Sequence, residues 1–275
     1  MLKERVITAL LLLPVVLWCV FGGVASAFPL FASAIILAAA WEWTAMMRVS
    51  ALLARLGFVG LVAAAMYGVK PQALSFDAAG VNALGPLMAG AALFWLVALV
   101  WVRRYPGDAQ RWDRPFLMLL IGLFLLVPTW AGLVQLHGQS PWWLMYVLLL
   151  VWGADTGAYF AGRRFGKVKL APSVSPAKTR EGLYGGLVTT SIIMLVVAFN
   201  LQLASLQFLL FAVVSATTVL ASVLGDLFES MVKRRAGIKD SGKIFPGHGG
   251  ALDRIDSITA AAPVFLAGWW LAGGF

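Results

Sequence analysis

The chain has 275 residues, 61% of them hydrophobic and 12% charged, with a mean hydropathy of +0.88. That charged share is about half of what soluble domains carry, which excludes a soluble globular fold and a disordered chain; the single cysteine, Cys19, excludes a disulfide framework. The net charge of +9 is read as Lys and Arg gathered in cytoplasmic loops and drawn to anionic headgroups, not as a nucleic-acid surface, since the sequence carries no nucleic-acid-binding module.

A helix crossing about 30 Å of hydrocarbon needs about 20 apolar residues. In chain order nine segments qualify, at about 6–23, 24–41, 52–69, 80–102, 116–136, 142–161, 183–203, 205–227 and 258–274. They are expected to be helices, because in lipid only helices and closed barrels satisfy the backbone, and barrel-type alternation is missing. The expected fold class is therefore an all-α, polytopic integral membrane protein of about nine transmembrane helices. The opening Lys3, Arg5, apolar run and Ala25–Ala27 resemble a signal peptide, but a second apolar stretch follows at once, and an uncleaved first span is expected. Cys19 lies in that run and reads as a small packing residue.

The basic residues test this count. On a nine-span layout every Lys and Arg except Lys70 falls on one side: Lys3 and Arg5, Arg48 and Arg55, the arginines of 103–114, the cations of 163–180 and those of 233–254. The positive-inside rule then places the N-terminus in the cytoplasm. Tryptophans near span ends, such as Trp41, Trp43, Trp101, Trp142 and Trp269, read as aromatic belts.

Residues 1–140 read as scaffold helices. Glu42, between two tryptophans, is expected at the membrane interface, with a functional role as the alternative, and His137 on the opposite face has no assigned role. Residues 141–275 read as the region that carries chemistry. Seven of the 12 acidic residues lie there, at or just below the basic side.

Three clusters stand out in that region. Asp155 lies eight residues before Arg163, hence roughly 12 Å into its helix at about 1.5 Å per residue. A carboxylate at such depth is costly unless paired or metal-bound, so it is either a buried ion pair or a functional group. The loop from Pro172 to Gly182 offers Ser173, Ser175, Thr179, Lys178 and Arg180 before a helix, which suits either a phosphate group or an ordinary loop with Thr179 as a helix cap. Gly162 to Lys167 is not a P-loop: one spacer is missing and no Ser or Thr follows the lysine. The third cluster runs from Ser222 to Asp256. Asp226 and Glu229 are three apart at a helix end, and Asp253 and Asp256 repeat the spacing at the start of the next, so each pair shares a face. Hard oxygen ligands beside Lys and Arg suit Mg²⁺ carrying a phosphorylated substrate. Pro246 to Gly250 reads as a tight turn, and His248 within it as a turn residue, a phosphate contact or an acid.

The stretch from Ser230 to Asp256, with Lys233, Arg234, Lys239, Asp240, Pro246, His248, Gly249, Gly250, Asp253 and Arg254 at fixed spacing over 27 positions, resembles the signature of the phosphatidate cytidylyltransferases, or CDP-diacylglycerol synthases. Ala251 is smaller than the aliphatic residue usual there. The elements around Asp226 and Glu229, around Asp155, and from Ser175 to Gly182 are similar to the same family, so the resemblance covers about residues 150–262.

The resemblance implies transfer of a cytidylyl group from CTP to phosphatidic acid, giving CDP-diacylglycerol and pyrophosphate, with Mg²⁺ required, in a bacterial inner membrane and in a homodimer. It points to metal ligation at Asp226 and Asp253, with Asp256 and Asp155 as further candidates and room for a second cation. Lys178, Lys233, Arg234, Asp240, His248 and Arg254 are the expected catalytic set. Ser173, Ser175, Thr179, Arg180, Ser230, Lys239, Gly249 and Gly250, with Lys178, are the expected substrate contacts. A CTP-dependent lipid kinase is the nearest alternative; a transporter is a weaker one, because transporters place polar sites near the midplane and here they crowd one face.

Overall fold

A computed structural model describes residues 14–22, 24, 26–244 and 249–274. Among these are eight helices long and apolar enough to cross a membrane: α1 (Ala27–Met46), α2 (Leu52–Ala73), α3 (Ala78–Arg104), α4 (Pro115–Gln139), α5 (Pro141–Phe165), α6 (Arg180–Asn200), α7 (Ser205–Ala236) and α8 (Leu252–Ala272). They correspond to the second to ninth expected spans. Half of the first expected span, residues 6–13 and 23, lies outside the described residues; its described part ends in a π-helical turn, Trp18–Gly22, in which Cys19 is buried. The protein is an all-α polytopic membrane protein.

Local chemistry sets the helix starts. Pro115 and Pro141 occupy first-turn positions, where a missing N–H costs nothing. The Asp77 carboxylate accepts from the Gly80 N–H at 2.8 Å and the Ser75 hydroxyl at 2.9 Å, capping α3. Thr179 Oγ1 accepts from the Gly182 N–H at 3.1 Å and caps α6.

Two boundaries matter for function. Hydropathy ends the α7 segment near residue 227, but the helix continues to Ala236 and stops where Gly237 turns into the left-handed region at φ 75°. Its 32 residues span about 48 Å at 1.5 Å per residue, so its last turns project past the hydrocarbon. The last helix starts at Leu252, six residues before its apolar segment at 258. Both differences have one cause: polar residues that fall below a membrane threshold still make good helix.

The loop expected from 172 to 182 contains a small antiparallel hairpin, β1 (Lys169–Ala171) with β2 (Ser175–Thr179). Lys169 pairs with Thr179 and Ala171 with Ser175. The Glu181 carboxylate fastens its base, accepting from the Lys167 N–H at 3.0 Å and the Val168 N–H at 3.2 Å.

Helix α5 packs most extensively on α6, through Gly157, Gly185 and Gly186, where a Cβ would press on facing backbone carbonyls. Such small-residue seams let membrane helices approach closely. Helix α8 lies inside the bundle against α7, α3 and α4. At one end of the bundle Asp113 Oδ2 holds Arg48 at 2.9 Å and Arg235 at 2.6 Å, so connections far apart in sequence share that end. Arg48 is half exposed, so its ion pair contributes at most about 1 kcal/mol.

Candidate functional site

At the same end, ionisable side chains from the hairpin, α5, α7 and α8 form a continuous chain. Asp226, Glu229, Ser230 and Lys233 stand at three- and four-residue spacings on α7, hence on one face. Lys178 Nζ, carried by β2, reaches Asp226 Oδ2 at 2.6 Å, while the Ser230 hydroxyl donates to Asp226 Oδ1 at 3.3 Å. Asp155 on α5 lies within electrostatic reach of Lys178 and Asp226. Lys233 Nζ bridges Glu229 Oε2 at 2.8 Å and Asp253 Oδ1 at 2.6 Å. Asp253 Oδ2 accepts from the N–H groups of Ser241 at 2.9 Å and Gly250 at 2.8 Å. Asp256, one turn along α8, faces both Asp226 and Glu229.

The structure therefore brings Asp155, Lys178, Asp226, Ser230, Lys233, Asp253 and Asp256 together, as the sequence suggests. Arg234, Lys239, Asp240 and Arg254 surround them as exposed groups whose side chains make no hydrogen bond or ion pair with another described residue. Ser173 is exposed and Ser175 half-buried on the hairpin. Thr179 is buried and its hydroxyl is engaged in capping α6. His248 and Pro246 lie outside the described residues. Gly249 has φ +80°, and a Cβ there would meet the Asp253 carboxylate, so the turn beside that carboxylate requires glycine.

The donor set suits a hard divalent cation. Glu229 Oε1 is buried and receives no hydrogen bond from a described donor, and its carboxylate faces that of Asp256 within hydrogen-bond reach of a shared proton. Buried polar atoms are normally satisfied, and two facing carboxylates are relieved by a shared proton or metal. Among the described residues no three acidic, His or Cys side chains converge into a complete protein cage. Mg²⁺ does not need one, since it is commonly held by one or two carboxylates plus substrate phosphates.

A cavity of about 1220 Å³ opens between α3, the hairpin, α6, α7 and α8. Leu93, Leu96, Leu220 and Leu271 belong to its apolar wall, as do Leu224 and Leu227 on either side of Asp226. Arg103, Arg180 and Ser173 belong to its polar part.

Glu42 is 3% exposed, inside the protein. Its Oε2 accepts from the Ser241 hydroxyl and the Leu252 N–H, both at 2.9 Å, and its Oε1 from the Ala251 N–H at 3.0 Å. The sequence marks Arg103 only through the one-sided distribution of basic residues. An acidic residue inside an otherwise apolar segment was the available signal for Glu42; Arg103 offered none beyond its charge.

Comparison with known proteins agrees with this geometry. The family model described as "Cytidylyltransferase family" matches residues 3–271. A Pseudomonas aeruginosa protein named phosphatidate cytidylyltransferase is 42% identical over 278 residues, 99% of this chain and 98% of its own length. Haemophilus influenzae and Brucella suis proteins of the same name are 40% and 35% identical over 96% and 95% of this chain, and over 97% and 90% of their own lengths. With its signature stretch folded around a chain of paired carboxylates and lysines, this protein belongs to the cytidylyltransferase family.

Proposed function

We propose that the protein transfers the cytidylyl group of CTP to phosphatidic acid, forming CDP-diacylglycerol and pyrophosphate for phospholipid synthesis. One observation carries this reading. The hairpin and α7, which carry the paired Lys178 and Asp226, also line the apolar cavity, with arginines and a serine in its wall, so a nucleotide and a lipid can meet at these two elements.

In the reaction an oxygen of the phosphatidate phosphate forms a bond to the α-phosphorus of CTP while the bond from that phosphorus to the bridging oxygen breaks, and pyrophosphate leaves. A phosphomonoester is largely ionised near pH 7, its second pKa being about 6. No strong base is needed; the obstacle is repulsion between anions, which positioning and fixed charge overcome. Arg103, Arg180 and Ser173 hold the lipid phosphate at the cavity, with the acyl chains along Leu93, Leu96 and Leu220. Lys178, on leaving Asp226, contacts the CTP phosphates, and the exposed Arg234, Lys239 and Arg254 neutralise the departing pyrophosphate. Asp226 and Asp256 would hold Mg²⁺, with Asp155 beside them. Asp253, expected from sequence as a principal ligand, has Oδ2 engaged by the loop backbone and Oδ1 by Lys233; its part is to hold that loop and lysine. When bound, the cation supplies positive charge that draws the phosphates of CTP together and stabilises charge on the leaving group.

The crowding of Lys and Arg at the site's end of the bundle supports a location at the cytoplasmic face of a bacterial inner membrane. A homodimer and contacts with surrounding lipids follow from the family resemblance. The test is purified protein with radiolabelled CTP and phosphatidic acid, with and without Mg²⁺. Labelled CDP-diacylglycerol with release of pyrophosphate, lost without Mg²⁺, is the expected result. Release of CDP with a newly phosphorylated lipid alcohol would assign a kinase instead.

A further inference from the structure

We infer that Glu42, from the opposite half of the chain, is the positioning residue that sets the active-site loop, by supplying the N-terminal cap that α8 lacks locally. The inference rests on the reading above for what the loop does, but its geometric half stands alone. The residue at the start of α8 is Ala251, which has no side-chain acceptor, and no side-chain cap is formed there. The first N–H groups of a helix need an acceptor. Glu42 supplies it from 209 and 210 residues away, taking the Ala251 and Leu252 N–H groups on its two oxygens. The Ser241 hydroxyl binds the same carboxylate and in turn accepts from the Asp253 N–H at 3.3 Å. Gly242 and Gly250 approach Glu42 so closely that a Cβ at either would overlap its carboxylate.

One buried carboxylate thus fixes both ends of the loop that runs from 241 to 252. The loop's register sets where Asp253 meets Lys233 and where Arg254 projects. An anion at a helix N-terminus is also electrostatically favourable, which accounts for a carboxylate buried without a lysine or arginine partner among the described residues. Glu42 touches neither substrate in this arrangement; it acts through the loop.

The substitution Glu42→Gln separates positioning from packing. Glutamine fills the same space, but its NH₂ cannot accept, so one side of the cap opposes donor to donor. The expected result is a fall in kcat of about 100-fold, the scale of small misplacements, with the KM for phosphatidate within about twofold because the α8 residues in the cavity wall, Val264, Ala267 and Leu271, lie far along the helix from its capped end. Faster hydrogen exchange at the Ala251 and Leu252 amides is expected alongside it. Glu42→Asp, which keeps two acceptors, should recover part of the kcat. Wild-type kcat in Glu42→Gln, or unchanged exchange at those two amides, would overturn the inference. If Glu42→Gln does not accumulate, Ser241→Ala decides: it removes one hydroxyl, which donates to Glu42 and accepts from the Asp253 N–H, and a fall in kcat of about tenfold is expected, whereas wild-type kcat overturns the inference. Wild-type protein run beside them keeps the questions apart: if it forms no CDP-diacylglycerol the reaction assignment fails, while amide exchange still reports on the cap.

Discussion

Lys233 and Asp253 stand 20 residues apart in the chain and 2.6 Å apart in space, and this contact joins the end of α7 to the first turn of α8. Lys233 also holds Glu229, and the carboxylates it bridges are only 4% and 7% exposed. Removing the lysine leaves two buried anions facing each other, a change that costs about 3–5 kcal/mol when one partner of a buried pair is lost. Lys233→Met is therefore expected to lower the thermal unfolding midpoint in detergent as well as activity. Full stability in that variant would show that the two carboxylates find other partners.

Asp226 should behave in the opposite way. Its pair with Lys178 is about a quarter exposed on both sides, so it contributes about 1 kcal/mol or less to folding. If Asp226 holds the cation, Asp226→Asn should lose activity about 100-fold or more, as expected for groups that stabilise transition-state charge, while the unfolding midpoint barely moves. Steady-state cytidylyl transfer across a Mg²⁺ titration measures this. Normal turnover at saturating Mg²⁺ would remove Asp226 from metal binding.

These two aspartates show what the sequence could and could not convey. The spans were legible because hydropathy over about 20 residues is a strong signal, and the spacing of Asp226 with Glu229 and of Asp253 with Asp256 already placed each pair on one face. Helix α7 runs on to Ala236 and α8 starts at Leu252, beyond the apolar limits at 227 and 258, because helix continues where hydropathy stops; the carboxylate spacing, unlike hydropathy, already implies helix on both sides of the loop. The hairpin at 169–179 read as loop because its strands have 3 and 5 residues, too short for a periodic pattern. Which carboxylate is engaged by backbone and which is open depends on loop geometry, and spacing says nothing about that. The partners of Glu42 are hidden for the same reason: Ser241, Ala251 and Leu252 are about 200 positions away, and local context shows only two flanking tryptophans.

The crossing of α7 and α8 offers a third test. A Cβ on Gly225 would come within 2.5 Å of the Asp256 backbone oxygen and 3.3 Å of the Ala260 side chain. Gly225→Ala must push the two helices apart just where Asp226 and Asp256 face each other. Overpacking of this kind costs about 1–3 kcal/mol. Activity should fall further than stability, and the Mg²⁺ concentration needed for half-maximal rate should rise, because the carboxylates separate. An unchanged Mg²⁺ dependence would place the cation elsewhere.

The cavity makes the last prediction. Leu96 on α3 faces it, opposite Leu220 and Leu224 of α7. Leu96→Trp would occupy part of its 1220 Å³ with an indole, which needs no charge change and lies away from the carboxylates. If acyl chains run there, the KM for long-chain phosphatidate rises about tenfold, a loss of about 1.4 kcal/mol of binding, while the KM for CTP stays constant and a short-chain phosphatidate is less affected. A loss of this kind is one of uniform binding, seen in KM and not in kcat. Equal sensitivity to long and short chains would mean that the lipid tails leave the site by another face, and that Arg103 and Arg180 meet a phosphate without the cavity behind them.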